Sequence, residues 1–175
     1  MYRVLLVGAG RERERRIAVG GRGDWEGSEV VTLDNSPTLE ADIHADLNVL
    51  PYDWAPDGSF DEVHAYEVLE HLGAQGDYKH FFGEFNEWYR ILRPGGWFCA
   101  TVPMWNTVWA LGEPSHTRII NPGTLVFLDQ EEYRLQCDQG HTMMSDFRHV
   151  YKGDFERSWI DTSEGQLRFA LRRKP

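Results

Sequence analysis

Three short stretches of this 175-residue sequence carry groups that could hold a nucleoside. Gly8-Ala9-Gly10 directly follows the apolar run Tyr2 to Val7. A glycine turn there lets backbone approach a ligand and aims the amides of a following helix at an anionic group. Asp34 ends the β-branched run Glu29 to Leu33 and offers two oxygens to the two hydroxyls of a ribose. Asp46-Leu47, after a third apolar run, pairs an acceptor for an adenine amino group with an apolar wall for the ring. Each stretch alone has a plainer use as a tight turn, a capping Asp or a surface turn. Their weight lies in their order, at three successive strand ends. The third glycine of a dinucleotide fingerprint would fall at Arg13, which disfavours a nicotinamide cofactor and an oxidoreductase.

The elements that must position these groups follow from hydrophobic periodicity. Tyr2 to Val7, Glu29 to Leu33, Ile43 to Leu47, Phe60 to Tyr66 and Trp97 to Val102 read as five strands. Arg11 to Ile17 is composed of helix formers and is expected to be a helix, with Arg11, Arg13 and Arg15 on a solvated face and Glu12 paired to Arg16. From Asp77 to Leu92 the residues Phe81, Phe82, Phe85, Trp88, Tyr89 and Leu92 form one stripe at helical spacing, stopped by Arg93-Pro94-Gly95-Gly96. Ser158 to Asp161 and Gln166 to Leu171 flank Thr162-Ser163-Glu164-Gly165 as a hairpin. The expected fold is α/β: a doubly wound, Rossmann-like, mostly parallel sheet with a C-terminal antiparallel hairpin, in one domain over residues 1–175.

Composition narrows the function classes. With 18 basic residues against 28 acidic ones the net charge is −10, which argues against unguided binding to a nucleic-acid backbone. The longest uncharged stretch, Trp97 to Gly112, is broken by Pro103 and too short to cross a bilayer, so a cytoplasmic location is expected. Cys99 and Cys137 suit reduced thiols, and Cys137, His141 and His149 have no recognised metal spacing, so no metal site is expected.

Val4-Leu5-Leu6-Val7-Gly8-Ala9-Gly10, Val31-Thr32-Leu33-Asp34, Ala45-Asp46-Leu47-Asn48-Val49-Leu50-Pro51-Tyr52, Ser59-Phe60-Asp61-Glu62-Val63, Glu67-Val68-Leu69-Glu70-His71-Leu72 and Arg90-Ile91-Leu92-Arg93-Pro94-Gly95-Gly96 occur in sequence order. Over about residues 2–103 the chain resembles the class I S-adenosylmethionine-dependent methyltransferases. Gly112-Glu113-Pro114-Ser115-His116-Thr117-Arg118, followed by Asn121-Pro122-Gly123, is similar to a segment of the small "EHL" branch, type 11-like methyltransferases. The resemblance implies S-adenosylmethionine as cofactor. Gly8, Ala9 and Gly10 would pass under its methionyl part, Asp34 with Asn35 would hold the ribose, and Asp46 with Leu47 would face adenine. Tyr66 and Glu67 would line the pocket near the sulfonium.

Methyl transfer to an oxygen, nitrogen or carbon acceptor chiefly requires alignment of donor and acceptor. Where the acceptor must lose a proton, His71 or His116 could serve as catalytic base, since histidine titrates near working pH. Their plainer uses are packing within a helix for His71 and capping a loop for His116. No Asp-Pro-Pro-Tyr-like stretch or Pro-Cys nucleophile is present, which favours a small-molecule acceptor over a DNA base. Leu6 stands where the family carries a polar residue, and Glu12 replaces a small one. These departures motivate the alternative, a non-catalytic binding or assembly protein on the same fold. Met104 to Met144 is the candidate substrate or lid segment, in which Met104, Trp105 and Trp109 are expected mainly to cover the sheet. With the first strand at Tyr2, either an open acceptor site or a homodimer that closes it is expected.

Overall fold

The computed structural model describes residues 1–11, 13–140 and 144–175. Its strands are β1 (Tyr2–Val7), β2 (Ser28–Asp34), β3 (Ile43–His44), β4 (Phe60–Tyr66), β5 (Leu92–Pro103), β6 (Phe155–Asp161) and β7 (Gln166–Arg173). They form a single sheet in the order β3-β2-β1-β4-β5-β7-β6. β1 pairs in parallel with both β2 and β4, β3 with β2, and β5 with β4. The C-terminal hairpin adds antiparallel, with β7 against β5. The chain therefore reverses its winding at β1 and β4, and the crevice at their carboxyl ends is where such sheets bind ligands.

The principal helix, α1 (Tyr78–Ile91), starts where the Asp77 carboxylate accepts from the His80 amide. It buries Phe82, Phe85, Trp88 and Ile91 against the sheet face that carries Leu5, Val7, Val63, Phe98 and Phe169. This stripe is the core of the molecule, and it agrees with the periodicity of the sequence. Three short helices follow: α2 (Val108–Gly112), α3 (Pro122–Val126) and α4 (Gln130–Tyr133).

The opposite face departs from expectation. Residues 13–16 are not helical, and Glu12, with its expected pairing to Arg16, lies outside the described residues. The cause is on β4, where alternation sends Val63 and Ala65 into the main core and Glu62, His64 and Tyr66 to the other side. Glu62 and His64 are fully buried. The Arg15 guanidinium pairs with the Glu62 carboxylate, and both side chains are almost inaccessible. His64 Nε2 donates to Glu62 at 2.7 Å, while His64 Nδ1 meets the Tyr66 hydroxyl at 2.6 Å. That hydroxyl in turn accepts from the amides of Arg16 and Ile17. These amides, which a helix would have spent on its own carbonyls, are tied to the sheet instead. Arg15 is thus an interior cation and not part of a solvated face.

Two further corrections concern extent and exposure. β3 is shorter than the expected Ile43 to Leu47, and of the residues expected to cover the sheet Met104 packs against the core while Trp105 and Trp109 are exposed.

Burial would raise the Glu62 carboxyl, but hydrogen bonds from His64 and Tyr2 and the nearby charges outweigh it and hold it low. Burial, joined by the Arg15 charge, holds His64 below its ordinary value of 6.5 against the pull of Glu62. The imidazole is neutral in the fold, so below about pH 6.5 the unfolded chain takes up the proton first and the native state loses stability as pH falls. The midpoint of thermal unfolding is expected to drop between neutral pH and about pH 5, less steeply in His64→Gln. In urea, Arg15→Ala is expected to cost about 3–5 kcal/mol because it strands a buried carboxylate. Arg134→Ala, which removes an exposed pair with Glu131, should leave the urea midpoint nearly unchanged.

Candidate functional site

A cavity of about 390 Å³ opens at the carboxyl edge of the parallel strands. Its wall contains Gly8 after β1, Asp34 at the end of β2 and Asn35 after it, Asp46 and Leu47 after β3, and Glu67 and His71 after β4. Four strand ends thus converge on one space, of the size that small cofactors occupy. The Asp34 carboxylate is fixed there, one oxygen accepting from the Gly10 amide at 3.0 Å and the other from the Ser36 amide at 2.9 Å. Each oxygen keeps capacity for one more donor, the requirement for two adjacent hydroxyls. Asp46 accepts from Asn48 through backbone and side chain, which orients it beside the buried Leu47. Leu33, Leu47, Val68 and Leu72 supply apolar wall. The donor set and the apolar lining fit an adenine nucleoside.

Gly8 adopts φ +60°, and a Cβ at this position would stand 2.5 Å from Val68 Cγ2. Only glycine passes here without moving the cavity wall. Glu67 also takes a left-handed backbone, φ 55°, which non-glycine residues adopt chiefly under constraint. Here the constraint is visible: its amide donates to Thr101 O at 2.8 Å. Its carboxylate accepts from Thr101 Oγ1 at 2.7 Å and from Gln166 Nε2 at 3.2 Å. A carboxylate is thereby held at the β4 end, where it suits a cationic ligand.

Other expected residues stand elsewhere. Tyr66 does not line the cavity, because alternation along β4 points it to the opposite face and into the His64 network. Ala9 is buried in the same small cluster as Leu6 and Tyr66. Gly10 borders a separate groove with Arg11, Arg13 and Glu40. His116 is absent from the cavity wall but packs edge-on to His71, with ring centroids 4.7 Å apart.

Sequence spacing did not reveal what joins the two histidines. The Arg118 guanidinium, buried, donates to Glu84 of α1 at 2.7 Å and to Leu69 O at 2.6 Å. The Thr117 amide donates to Glu70 O at 2.8 Å. These bonds clamp residues 115–118 along the turn Leu69–His71 and bring His116 to His71. Beside them lies Glu70, buried, with neither carboxylate oxygen hydrogen-bonded to another of the described residues. Burial pushes its carboxyl up to about 8 against the pull of its own backbone amide, with the Glu67 charge adding to the rise and Arg118 opposing it.

The family profile described as a methyltransferase domain matches residues 5–100. No curated protein matches the sequence. Among solved structures, the chain is similar to an S-adenosylmethionine-dependent methyltransferase from Archaeoglobus fulgidus, with TM-score 0.58 and 14% identity over 98% of this chain and 86% of the other. It is also similar to a complex of the Haloferax volcanii Trm112 methyltransferase activator with a methyltransferase, with TM-score 0.55 and 17% identity over 99% and 83%. A third is Burkholderia thailandensis 1,6-didemethyltoxoflavin-N1-methyltransferase, solved with 1,6-didemethyltoxoflavin and S-adenosylhomocysteine, with TM-score 0.53 and 16% identity over 99% and 71%.

The two glycines beside the cavity make separable predictions. Gly10 also has positive φ, but a Cβ there would meet nothing closer than Gly8 O at 3.8 Å. Gly10→Ala should therefore cost only the backbone conformation, about 1–2 kcal/mol in urea unfolding. Gly8→Ala should cost measurably more, because the Val68 wall must move as well. Equal costs would contradict the steric account of Gly8.

Proposed function

This chain belongs to the class I S-adenosylmethionine-dependent methyltransferases, and on that premise we propose that it transfers the methyl group of S-adenosylmethionine to an oxygen, nitrogen or carbon atom of a small-molecule acceptor. The observation that carries this reading is the convergence of Gly8, Asp34, Asp46-Leu47 and Glu67 on one cavity at the β1/β4 reversal. The cofactor, when bound, supplies an electrophilic methyl on a sulfonium. Asp34 and Asn35 would hold its ribose, and Leu47 with Leu72 would enclose its adenine, with Asp46 available to accept from the exocyclic amine. Glu67 faces the positive end of the ligand.

What the chain contributes to the reaction is mainly placement. The rigid strand ends fix one reactant, and a fixed partner removes the entropy cost of a chance encounter. Where an acceptor hydroxyl or ammonium must lose a proton, His71 at the cavity wall, with Glu70 and His116 behind it, supports its removal. The segment 104–144 supplies the acceptor side, since Ser115 lies on the cavity wall and the 115–118 clamp passes directly behind it. The negative chain and the absence of a basic cluster on that wall support a small molecule over a polynucleotide acceptor.

A second reading, a binding or assembly protein on this fold, draws on the exposed apolar side chains of Trp105, Val108, Trp109 and Leu111, which suit a contact with another chain, a second copy included. Turnover separates the two. Incubation with methyl-labelled cofactor and a broad acceptor panel is expected to release S-adenosylhomocysteine with at least one acceptor. Binding of the cofactor without turnover on any acceptor would favour the assembly reading. Asp34→Ala removes two hydrogen bonds to a charged acceptor, each worth about 1.5–3 kcal/mol. Calorimetric titration should show affinity for S-adenosylmethionine reduced about 100-fold or more, and an unchanged affinity would contradict the assigned site.

A further inference from the structure

We propose that Glu70, His71 and His116 bind a divalent transition-metal ion at the wall of the cofactor cavity. One ligand atom from each of the three lies within 4.8 Å of the others. The set is one carboxylate and two imidazoles, a combination that serves Zn²⁺ and Fe²⁺ with coordination positions left open.

Three observations set this cluster apart from an ordinary polar contact. First, Glu70 is 3% exposed and neither oxygen has a hydrogen-bond partner on any other described residue. An unpaired buried carboxyl is costly, and a cation in contact with it removes the cost. Second, His116 Nδ1 is also buried without a hydrogen-bond partner among the described residues. Third, the outer nitrogens are already oriented. His71 Nδ1 stands 3.3 Å from Ser115 O, a carbonyl that can only accept, so the proton is on Nδ1 and the lone pair on Nε2. His116 Nε2 faces a Glu113 oxygen at 3.6 Å, longer than a hydrogen bond, so the carboxylate stands beside this nitrogen while Nδ1 is the buried one. Metal-binding histidines characteristically give their second nitrogen to a carbonyl or carboxylate in this way.

Metal–donor distances of about 2.0–2.2 Å require donors closer together than 4.8 Å, so the three side chains draw in around the ion through small torsional changes. The frame that presents them is stiff, because the Arg118–Glu84 pair and the Thr117–Glu70 bond lock the two segments together. Since His71 lines the cofactor cavity, the ion stands at its wall. Its open positions suit an acceptor that offers an oxygen or nitrogen donor. This assignment deepens the methyl-transfer reading and rests on it for the acceptor class, while the ion site itself is independent of it.

The test is calorimetric titration of the chelator-stripped, full-length protein with Zn²⁺ alone, alongside the visible spectrum after Co²⁺ addition. One ion per chain is expected, with d–d bands of a nitrogen- and oxygen-ligated site. Glu70→Gln and His116→Ala should each weaken Zn²⁺ about 100-fold or more. His149→Ala, a change at an exposed histidine outside the cluster, should bind like the parent. Absence of saturable binding, or affinity unchanged in both cluster variants, would overturn the proposal. So would loss of binding in His149→Ala. Because Glu70→Gln preserves shape, it reports on the site even if His116→Ala fails to fold. Titration of the same parent sample with S-adenosylmethionine separates the two claims: cofactor binding without Zn²⁺ binding rejects only the metal site, and the reverse rejects only the methyl-transfer reading.

Discussion

The charge of Glu62, buried at the centre of the sheet, is the constraint around which one whole face is arranged. An isolated carboxylate there would be prohibitive, and it is met by Arg15, His64 and Tyr2 together. Bringing Arg15 inward draws residues 13–17 flat against β4, and the Tyr66 hydroxyl then satisfies two of their amides. Residues 13–16 form neither helix nor strand and run as a strap tied to the sheet. Trp25 closes over it, stacking on the Arg15 guanidinium and meeting His64 edge-on. The network is ordered in its protons as well as its charges: Tyr66 donates to His64, and His64 to Glu62, which is the arrangement of a neutral imidazole.

This constraint shapes the site next to it. Because the strap is not helical, the Gly8–Gly10 turn does not deliver a ligand to a helix N-terminus among the described residues, and the cavity relies on strand ends instead. Asp34 anchors the turn through the Gly10 amide, so the residue assigned to the ribose also fixes the loop beside it. On the far side, Glu67 is held in a left-handed conformation by Thr101 and Gln166, which ties the β4 end to β5 and β7. The two faces therefore divide the work: the aromatic core under α1 supplies rigidity, and the polar face ties down the strap that follows the glycine turn, of which Gly8 reaches the cavity wall.

Much of this was legible in the sequence where the signal was local. The α1 stripe, the bounds of β1 and β4, the closing hairpin and the order of the strand-end motifs all follow from periodicity and turn residues. The strap was not legible, because Arg11 to Ile17 has a helical composition and the group that overrides it, Glu62, is 47 residues from Arg15. Tyr66 was misplaced for a related reason: being next to Glu67 in sequence puts it on the opposite face of the strand. Trp105 and Trp109 read as core by composition alone, whereas the short α2 leaves them at the surface. The Glu70–His71–His116 cluster shows no metal spacing, since its third member arrives through the Arg118 clamp, a contact that only the folded chain makes.

The central claim is that the cavity at the ends of β1 to β4 holds the adenosine cofactor. Amide chemical shifts of isotopically labelled protein titrated with S-adenosylhomocysteine address it residue by residue. Saturable shifts should concentrate at Gly8, Asn35, Asp46, Leu47 and Glu67, with little change in α3 or the β6–β7 hairpin tip. Shifts centred on the second cavity, beside Phe81, Ile119 and Phe127, or no saturable shifts at all, would contradict the account.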